Sequence, residues 1–250
     1  GPVIHIQNCS NVIVRNLTIK HFGTEVIKGK RGGKWAAVQI EDSTALLKNL
    51  NISQSASEGI RIQNGPRPDE VVTVINSTIY SSHTYGIIVT ASGKVKLINN
   101  TCVNNNNNGI LLMDDSNGIL FGNICKANEH HGISIADNAH ADIFKNICCN
   151  NKWSGIFSLS AGSCAIQDNN CFDNNGSGIH IERRSEVAIV KNRCSRNGGN
   201  GIYCRNGTYG TVTQNICNEN VWHGISMDED GRAVISDNKC FKNKKCGIWN

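Results

Sequence analysis

The sequence predicts an all-β fold, a right-handed parallel β-helix of about ten coils, and three observations lead to this prediction. A Gly-Ile pair recurs every 23 residues, an Asn-x-Cys-x-x-Asn motif recurs with the same period, and large apolar residues lie two positions apart, as Ile133 and Ile135 do. A fixed period of roughly 20–50 residues is typical of repeat architectures. Apolar residues at every second position are typical of strands, and the handedness follows from the strong preference of parallel connections.

The repeat aligns four columns of identical residues. The Gly-Ile pairs begin at Gly86, Gly109, Gly132, Gly155, Gly178, Gly201, Gly224 and Gly247. The motif cysteines are Cys102, Cys125, Cys148, Cys171, Cys194, Cys217 and Cys240. The motif opens at Asn100, Asn123, Asn146, Asn169, Asn192, Asn215 and Asn238 and closes at Asn105, Asn128, Asn151, Asn174, Asn197, Asn220 and Asn243. Because stacked coils would lie about 4.8 Å apart, we expect ladders of hydrogen bonds between asparagine side chains.

Three short strands account for each repeat. The first follows the Gly-Ile pair, the second carries an apolar pair such as Ala141 and Ile143, and the third contains the motif cysteine as a small buried hydrophobe. Corners rich in Asn and Gly separate these strands. Glycine is expected at the corners because it adopts a positive φ without strain.

The first 58 residues keep the period less strictly. Before Cys102 the column of the later cysteines holds isoleucines, which are Ile19, Ile52 and Ile79. Two insertions, at about residues 23–34 and 64–70, are rich in Gly, Pro and charge and are therefore predicted to be surface loops. We predict one β-helix domain over residues 1–250.

Composition excludes several classes of partner. The net charge of +5 is small and spread along the chain, so no nucleic-acid partner is predicted, and no apolar run approaches the roughly 18 residues of a membrane span. The twelve cysteines show no CxxC spacing, so neither a metal site nor a cofactor is predicted. Stacked parallel thiols also have poor geometry for disulfides.

The two ends of the sequence lie in strand register, at Val3 and at Ile248. Open strand edges invite pairing with other chains. We therefore expect either that the sequence is part of a longer chain or that the solenoid associates end to end.

The repeat, as in Asn123-Ile-Cys-Lys-Ala-Asn128 followed by Gly132-Ile133, resembles the parallel β-helix repeat of pectate-lyase-like proteins. These include polysaccharide lyases, polygalacturonases, mannuronan epimerases, NosD-like proteins, and the carbohydrate-binding and sugar-hydrolase repeats of other proteins. The resemblance covers nearly the whole chain and implies the fold and a carbohydrate ligand. It implies no particular activity, because the polygalacturonase motifs are incomplete around Asp114-Asp115 and Arg67-Pro68 lacks the pectate lyase context.

The outward face of the Gly-Ile strand is the candidate site. If the isoleucines one and three residues after the glycine point inward, the residues two before, two after and four after it point outward. These positions predict a furrow with aromatic walls and with the glycines of the Gly-Ile pairs as its floor. The predicted substrate-binding residues are Trp153, Phe157, Tyr203, Arg205 and Trp222. The alternative is that these rings are ordinary exposed strand residues that stack on neighbouring coils.

Two carboxylates in this face are candidates for catalysis. Glu182 and Asp228 lie two coils apart in one column, which places them about 9–10 Å apart, close to the roughly 6.5–9.5 Å of inverting glycosidases. His180 and Tyr203 are the candidate proton-transfer groups. The alternative is that the charged residues are only solvated residues of a strand face. His130, His131 and His223 are interpreted as corner residues rather than ligands.

The sequence thus predicts a domain that recognises a polysaccharide or another glycan. Glycoside hydrolase, lyase or epimerase activity is one extension of this hypothesis. A non-enzymatic protein-interaction scaffold, using the coil faces and the basic loop 28–34 to bind a protein partner, is the alternative.

Overall fold

A computed structural model describes residues 1–21, 35–64, 71–160, 162–183, 185–228 and 230–250. The first ten strands are β1 (Ile4–Gln7), β2 (Val12–Arg15), β3 (Thr18–Lys20), β4 (Val38–Glu41), β5 (Ala45–Lys48), β6 (Asn51–Ser53), β7 (Ile60–Asn64), β8 (Val71–Ile75), β9 (Thr78–Tyr80) and β10 (Ile87–Ala91). The next ten are β11 (Lys94–Ile98), β12 (Thr101–Val103), β13 (Ile110–Leu112), β14 (Asn117–Phe121), β15 (Ile124–Lys126), β16 (Ile133–Asp137), β17 (His140–Phe144), β18 (Ile147–Cys149), β19 (Ile156–Ser160) and β20 (Ser163–Gln167). The last are β21 (Asn170–Phe172), β22 (Ile179–Ile181), β23 (Glu186–Val190), β24 (Arg193–Ser195), β25 (Ile202–Cys204), β26 (Tyr209–Thr213), β27 (Ile216–Asn218), β28 (Ile225–Met227), β29 (Arg232–Ser236), β30 (Lys239–Phe241) and β31 (Ile248–Trp249).

Every third strand pairs in parallel, which produces three sheets. Sheet 1 runs from β1 to β31 through the Gly-Ile strands, sheet 2 from β2 to β29, and sheet 3 from β3 to β30 through the cysteine strands. In the described part of the chain these sheets have eleven, ten and ten strands, and no helix is found there. The parallel β-helix of about ten coils is therefore confirmed.

The register between coils is one repeat, as the columns predicted. Cys125 pairs with Cys148, and the cysteine column continues backwards through Ile79 and Ile52 to Ile19. The inward residues of all three sheets form one buried cluster. The N-terminal coils therefore share the core of the regular ones, although both predicted insertions, 23–34 and 64–70, lie outside the described residues apart from Asn64.

Asparagine ladders cross the coils as predicted. Asn169 is typical, since its Nδ2 donates to Asn192 Oδ1 at 3.0 Å and to the Ile143 carbonyl at 2.8 Å. Its own Oδ1 accepts the backbone N–H of Asn146 at 2.9 Å. Each amide in these ladders thus satisfies backbone groups of the coils on either side, which makes its burial favourable.

The glycines of the Gly-Ile pairs have a different role from the predicted one. None of them has a positive φ, which the corners instead give mainly to non-glycine residues such as Asn99 and Asp114. A Cβ at Gly178 would lie 2.7 Å from the Gly201 carbonyl oxygen and 2.9 Å from Cys194 Cβ. Glycine is required there because neighbouring coils approach closely, and the prediction from positive φ was wrong.

All twelve cysteines are free thiols. Those of the motif column are buried up to Cys217, and Cys240 is partly exposed. Burial raises the pKa of Cys164 to about 11 and that of Cys204 to about 12.

β1 and β31 lie at the two ends of sheet 1, and association through these edges stays a prediction.

Candidate functional site

A groove of about 450 Å³ runs along sheet 1. Trp153 and Trp222 form one wall, and both side chains are 55% exposed. They occupy the same column three coils apart, a separation of roughly 14 Å at the usual spacing of stacked strands. Between them the column holds Gly176 and Gly199, which leave an open gap in the wall.

The floor of the groove differs from the predicted one. The glycines of the Gly-Ile pairs face the next coil and the cysteine column, as Gly178 does, and they do not line the groove. Gly176 and Gly199 line it instead. A furrow is present on this face, but it is open because the column of Trp153 and Trp222 has no side chains at Gly176 and Gly199.

The opposite wall contains His180 and Tyr203, which belong to a row of ring contacts along sheet 1. His131 lies parallel to Phe157, with ring centroids 4.3 Å apart and an interplanar angle of 6°. Phe157 meets His180 edge-on at 5.2 Å, and His180 stacks on Tyr203 at 4.7 Å. Each ring comes from a successive coil, so the parallel register of β19, β22 and β25 holds the row together. Such ring pairs add about 0.5–1.5 kcal/mol to simple burial.

Glu182 is held at the edge of the groove by two neighbours. Arg205 Nε lies 2.8 Å from Glu182 Oε1, and His180 Nε2 lies 3.2 Å from the same oxygen. Burial, together with the positive charge of Arg205, lowers the pKa of His180 to about 4. The contact of His180 with Glu182 at neutral pH is therefore that of a neutral imidazole, and the ion pair is between Glu182 and Arg205.

Asp228 lies inside the groove and is bonded to the ring row. The Tyr203 hydroxyl donates to Asp228 Oδ2 at 3.0 Å, whereas Asp228 Oδ1 is buried and accepts no hydrogen bond. Burial is the largest cause of the raised pKa of Tyr203, and its bond to Asp228 adds to that increase. Tyr203 is consequently a protonated donor at neutral pH.

The corner histidines contribute structure, as the sequence indicated. His131 Nδ1 accepts the backbone N–H of Ser154 at 3.1 Å, and His223 Nδ1 accepts that of Cys246 at 3.2 Å. Asn108 and Asn200 occupy the same column and accept the equivalent N–H groups with their side-chain oxygens. His130 lies against Trp153 with ring centroids 4.8 Å apart and so supports one wall of the groove.

The structure brings most predicted site residues together. Groove-lining residues among them are Trp153, His180, Tyr203, Trp222 and Asp228. The others, Phe157, Glu182 and Arg205, contact this set from its edge. Arg205 lies between Glu182 and Asp228 in their column. The prediction that these two carboxylates act as a pair did not take this arginine into account.

Sequence reasoning missed Trp249 and the corner residues of the groove. Trp249 lies two residues after Gly247, so the repeat itself would have placed it one coil beyond Ser226 in the ring column. Its ring stacks on His223 at 5.5 Å. The corner residues Ser177 and Asn200 line the groove from the position just before the glycine, which was not considered as an outward position.

Other features of the described residues bear on function. In the ranges given above, no group of three His, Cys, Asp or Glu side chains is arranged to hold a metal ion. None of the described segments forms a helix with the length and apolar character that crossing a membrane requires.

Comparison with known proteins supports the fold. The family described as right handed beta helix region matches residues 2–171 and 142–250, in agreement with the predicted handedness and with the resemblance to pectate-lyase-like proteins. No curated protein matches the sequence of this chain.

Solved structures with this architecture include enzymes and an adhesin. A mutant of the periplasmic alginate epimerase AlgG superposes with a TM-score of 0.72 at 19% identity, covering 93% of this chain and 60% of that one. Pectate lyase Pel9A gives a TM-score of 0.60 at 13% identity, covering 93% and 70%. PfbA, a surface adhesin of Streptococcus pneumoniae, gives 0.65 at 12% identity, covering 96% and 71%. The chain thus spans 60% of the first of these structures, and likeness at this identity shows the fold alone.

Proposed function

Because this chain belongs to the right-handed β-helix family, whose stacked coils expose long parallel sheets, we propose that it binds a linear polysaccharide in the groove on sheet 1. The observation that carries this proposal is the pair of half-exposed rings, Trp153 and Trp222, on either side of a gap made by two glycines. The stacked rings of His180 and Tyr203 line the same groove. The flat apolar faces of sugar rings suit such surfaces, and hydroxyl groups suit the polar tips.

The direction of the groove favours a polymer over a single sugar. Trp153, Gly176, Gly199 and Trp222 follow one another in successive coils, so the groove runs along the solenoid axis. Similar solenoids include an alginate epimerase and a pectate lyase, whose names refer to polysaccharides. Both facts support a chain-like ligand that crosses several coils.

Recognition is better supported than turnover. Glu182 is engaged by Arg205 at 2.8 Å and lies at the edge of the groove, whereas Asp228 and Tyr203 line it as a hydrogen-bonded pair. The catalytic roles of Glu182, Asp228 and His180 therefore stay a prediction. If a reaction occurs, the Tyr203 hydroxyl is the better-placed proton donor, and Glu182 is better suited to position Arg205 and His180.

Calorimetric titration with a panel of soluble polysaccharides tests the proposal. Trp153→Ala and Trp222→Ala should each weaken binding by about 1–3 kcal/mol, the scale of one large side chain that a ligand covers. Neither change should lower the melting temperature appreciably, because both side chains point to solvent. Phe241→Ala is the matched control, since Phe241 is 47% exposed on sheet 3.

Binding that survives both tryptophan replacements would place the ligand elsewhere. A chain that binds no glycan but captures a protein partner through sheet 1 would support the scaffold alternative instead. Either result would contradict the proposed function.

A further inference from the structure

The residues that line the groove carry a single formal charge. Of the thirteen described residues that do so, Asp228 is the one carboxylate, and neither lysine nor arginine is among them. Lys245 follows Trp222 in its column, one coil beyond, but it is not a lining residue. The remaining ionisable side chains of the lining are His180, His223 and Tyr203.

Two of these remaining groups are neutral at pH 7, and the third is engaged by the backbone. His223 Nδ1 accepts the Cys246 N–H at 3.2 Å. Burial and the nearby Arg205 keep the pKa of His180 at about 4. Tyr203 donates its proton to Asp228. The carboxylate of Asp228 therefore sets the charge of the lining.

Arg205 at the edge of the groove does not outweigh the two carboxylates of its column. It lies between Glu182 and Asp228 and forms an ion pair with Glu182 at 2.8 Å. Arg205 also lies over the Tyr203 ring, with 5.9 Å between Cζ and the ring centroid. One positive charge therefore stands against two negative ones, and these three side chains together carry a net charge of −1.

Asp228 has the surroundings of a site for a cation or a hydrogen-bond donor. Its Oδ1 accepts no hydrogen bond, and Tyr203, Trp222 and Trp249 line the same groove. A carboxylate near aromatic faces attracts an ammonium group through charge pairing and cation–π contact. The same arrangement repels a carboxylate or a sulfate, since like charges in a partly desolvated site cost binding energy.

We infer that the groove selects glycans by charge, preferring an amino sugar whose ammonium group pairs with Asp228, accepting neutral sugars and excluding uronic acids. This inference rests on the proposed polysaccharide binding and names the class of polymer that the site takes. The order of affinity is amino glycan, then neutral glycan, then polyuronate.

Three oligosaccharides of equal length test this order in calorimetric titrations of the whole chain. A chitosan oligomer supplies ammonium groups, a cello-oligosaccharide supplies none, and an oligogalacturonate supplies carboxylates. The amino glycan should bind about three- to tenfold more tightly than the neutral one, between the strength of an exposed ion pair and that of a charge-assisted hydrogen bond. The difference should shrink in high salt, because mobile ions screen partly exposed charges.

Asp228→Asn removes the charge and keeps an acceptor for the Tyr203 hydroxyl. It should abolish the preference for the amino glycan over the neutral one, measured as the ratio of the two affinities within the variant. Asp142→Asn is the matched control, because it changes the net charge equally from an exposed position on sheet 2. A thermal melt of each variant shows whether the fold is intact.

The outcomes separate this inference from the proposed function. If oligogalacturonate binds as tightly as the neutral oligomer and Asp228→Asn leaves the order unchanged, the inference is overturned, although losses in Trp153→Ala would still support polysaccharide binding. If none of the three oligomers binds, both the inference and the proposed function are overturned.

Discussion

The hydroxyl of Tyr203 donates a 3.0 Å hydrogen bond to Asp228, which lies one coil further along and in a different outward column of sheet 1. This bond connects the row of stacked rings to the one carboxylate that lines the groove. It also fixes the orientation of a charged side chain in a site where His180 and Tyr203 are neutral. The binding surface and its charge are therefore set by the same contact.

Tyr203→Phe should separate the ring of Tyr203 from its hydroxyl. The ring keeps its stacking on His180, so the free energy of unfolding should change by no more than about 1 kcal/mol, the net value of one hydrogen bond. Glycan binding should weaken less than in Tyr203→Ala, which removes the ring as well. Calorimetric titration and thermal melts of the two variants check this, and equal binding losses in both would show that the ring contributes nothing.

Acidification should destabilise the fold through His131. Burial is the main reason that the pKa of His131 falls to about 3 from its usual value of 6.5. Between these values the unfolded chain binds a proton that the folded chain does not, so stability falls as the pH falls below 6.5. At pH 5 the loss from this residue is about 2 kcal/mol.

His131→Asn is the control for this pH dependence. Asn108 and Asn200 show that asparagine accepts the same corner N–H in this column, so the variant should fold. Denaturant unfolding between pH 7 and pH 5 should then show a smaller loss of stability than in the wild type. An unchanged pH dependence would mean that other groups cause the acid sensitivity.

Asn169→Ala should break one ladder in the middle of the solenoid. It removes the acceptor of the buried Asn146 backbone N–H and the side-chain donor to the Ile143 carbonyl, and each buried group left unsatisfied costs about 1–3 kcal/mol. A loss of at least about 3 kcal/mol in the free energy of unfolding is expected. Asn175→Ala, at an exposed corner, is the control and should change stability by less than about 0.5 kcal/mol.

The thiols should divide sharply by accessibility. Cys9 and Cys246 are exposed, and the other ten of the twelve are buried or partly buried. A native titration with a thiol reagent should therefore find two fast-reacting groups, and all twelve should react after denaturation. A denatured count well below twelve would show that disulfides link the cysteine column, contrary to the structure.

The repeat predicted the fold because each column makes one kind of contact between neighbouring coils. The period placed Cys125 over Cys148 and predicted the asparagine ladders, since these contacts depend only on parallel register. It also placed Trp153 and Trp222 in one column. Positions and contacts that depend on register alone can be counted along the sequence.

The site was harder to predict, because its parts break the repeat. Gly176 and Gly199 open the groove by departing from the bulky residues of their column, and the bond between Tyr203 and Asp228 crosses from one column to another. Such diagonal contacts depend on side-chain rotamers rather than on the period. The pairing of Arg205 with Glu182 likewise comes from side-chain reach across one coil.

Tryptophan fluorescence tests the central claim most directly. Three of the four tryptophans, Trp153, Trp222 and Trp249, line the groove, so a Trp35→Phe variant reports on the groove alone. Titration of this variant with a polysaccharide that binds by calorimetry should give a saturable blue shift and protection from acrylamide quenching, because a ligand would cover half-exposed rings. Calorimetric binding with unchanged emission and unchanged quenching would contradict the account, since the ligand would then lie elsewhere on the solenoid.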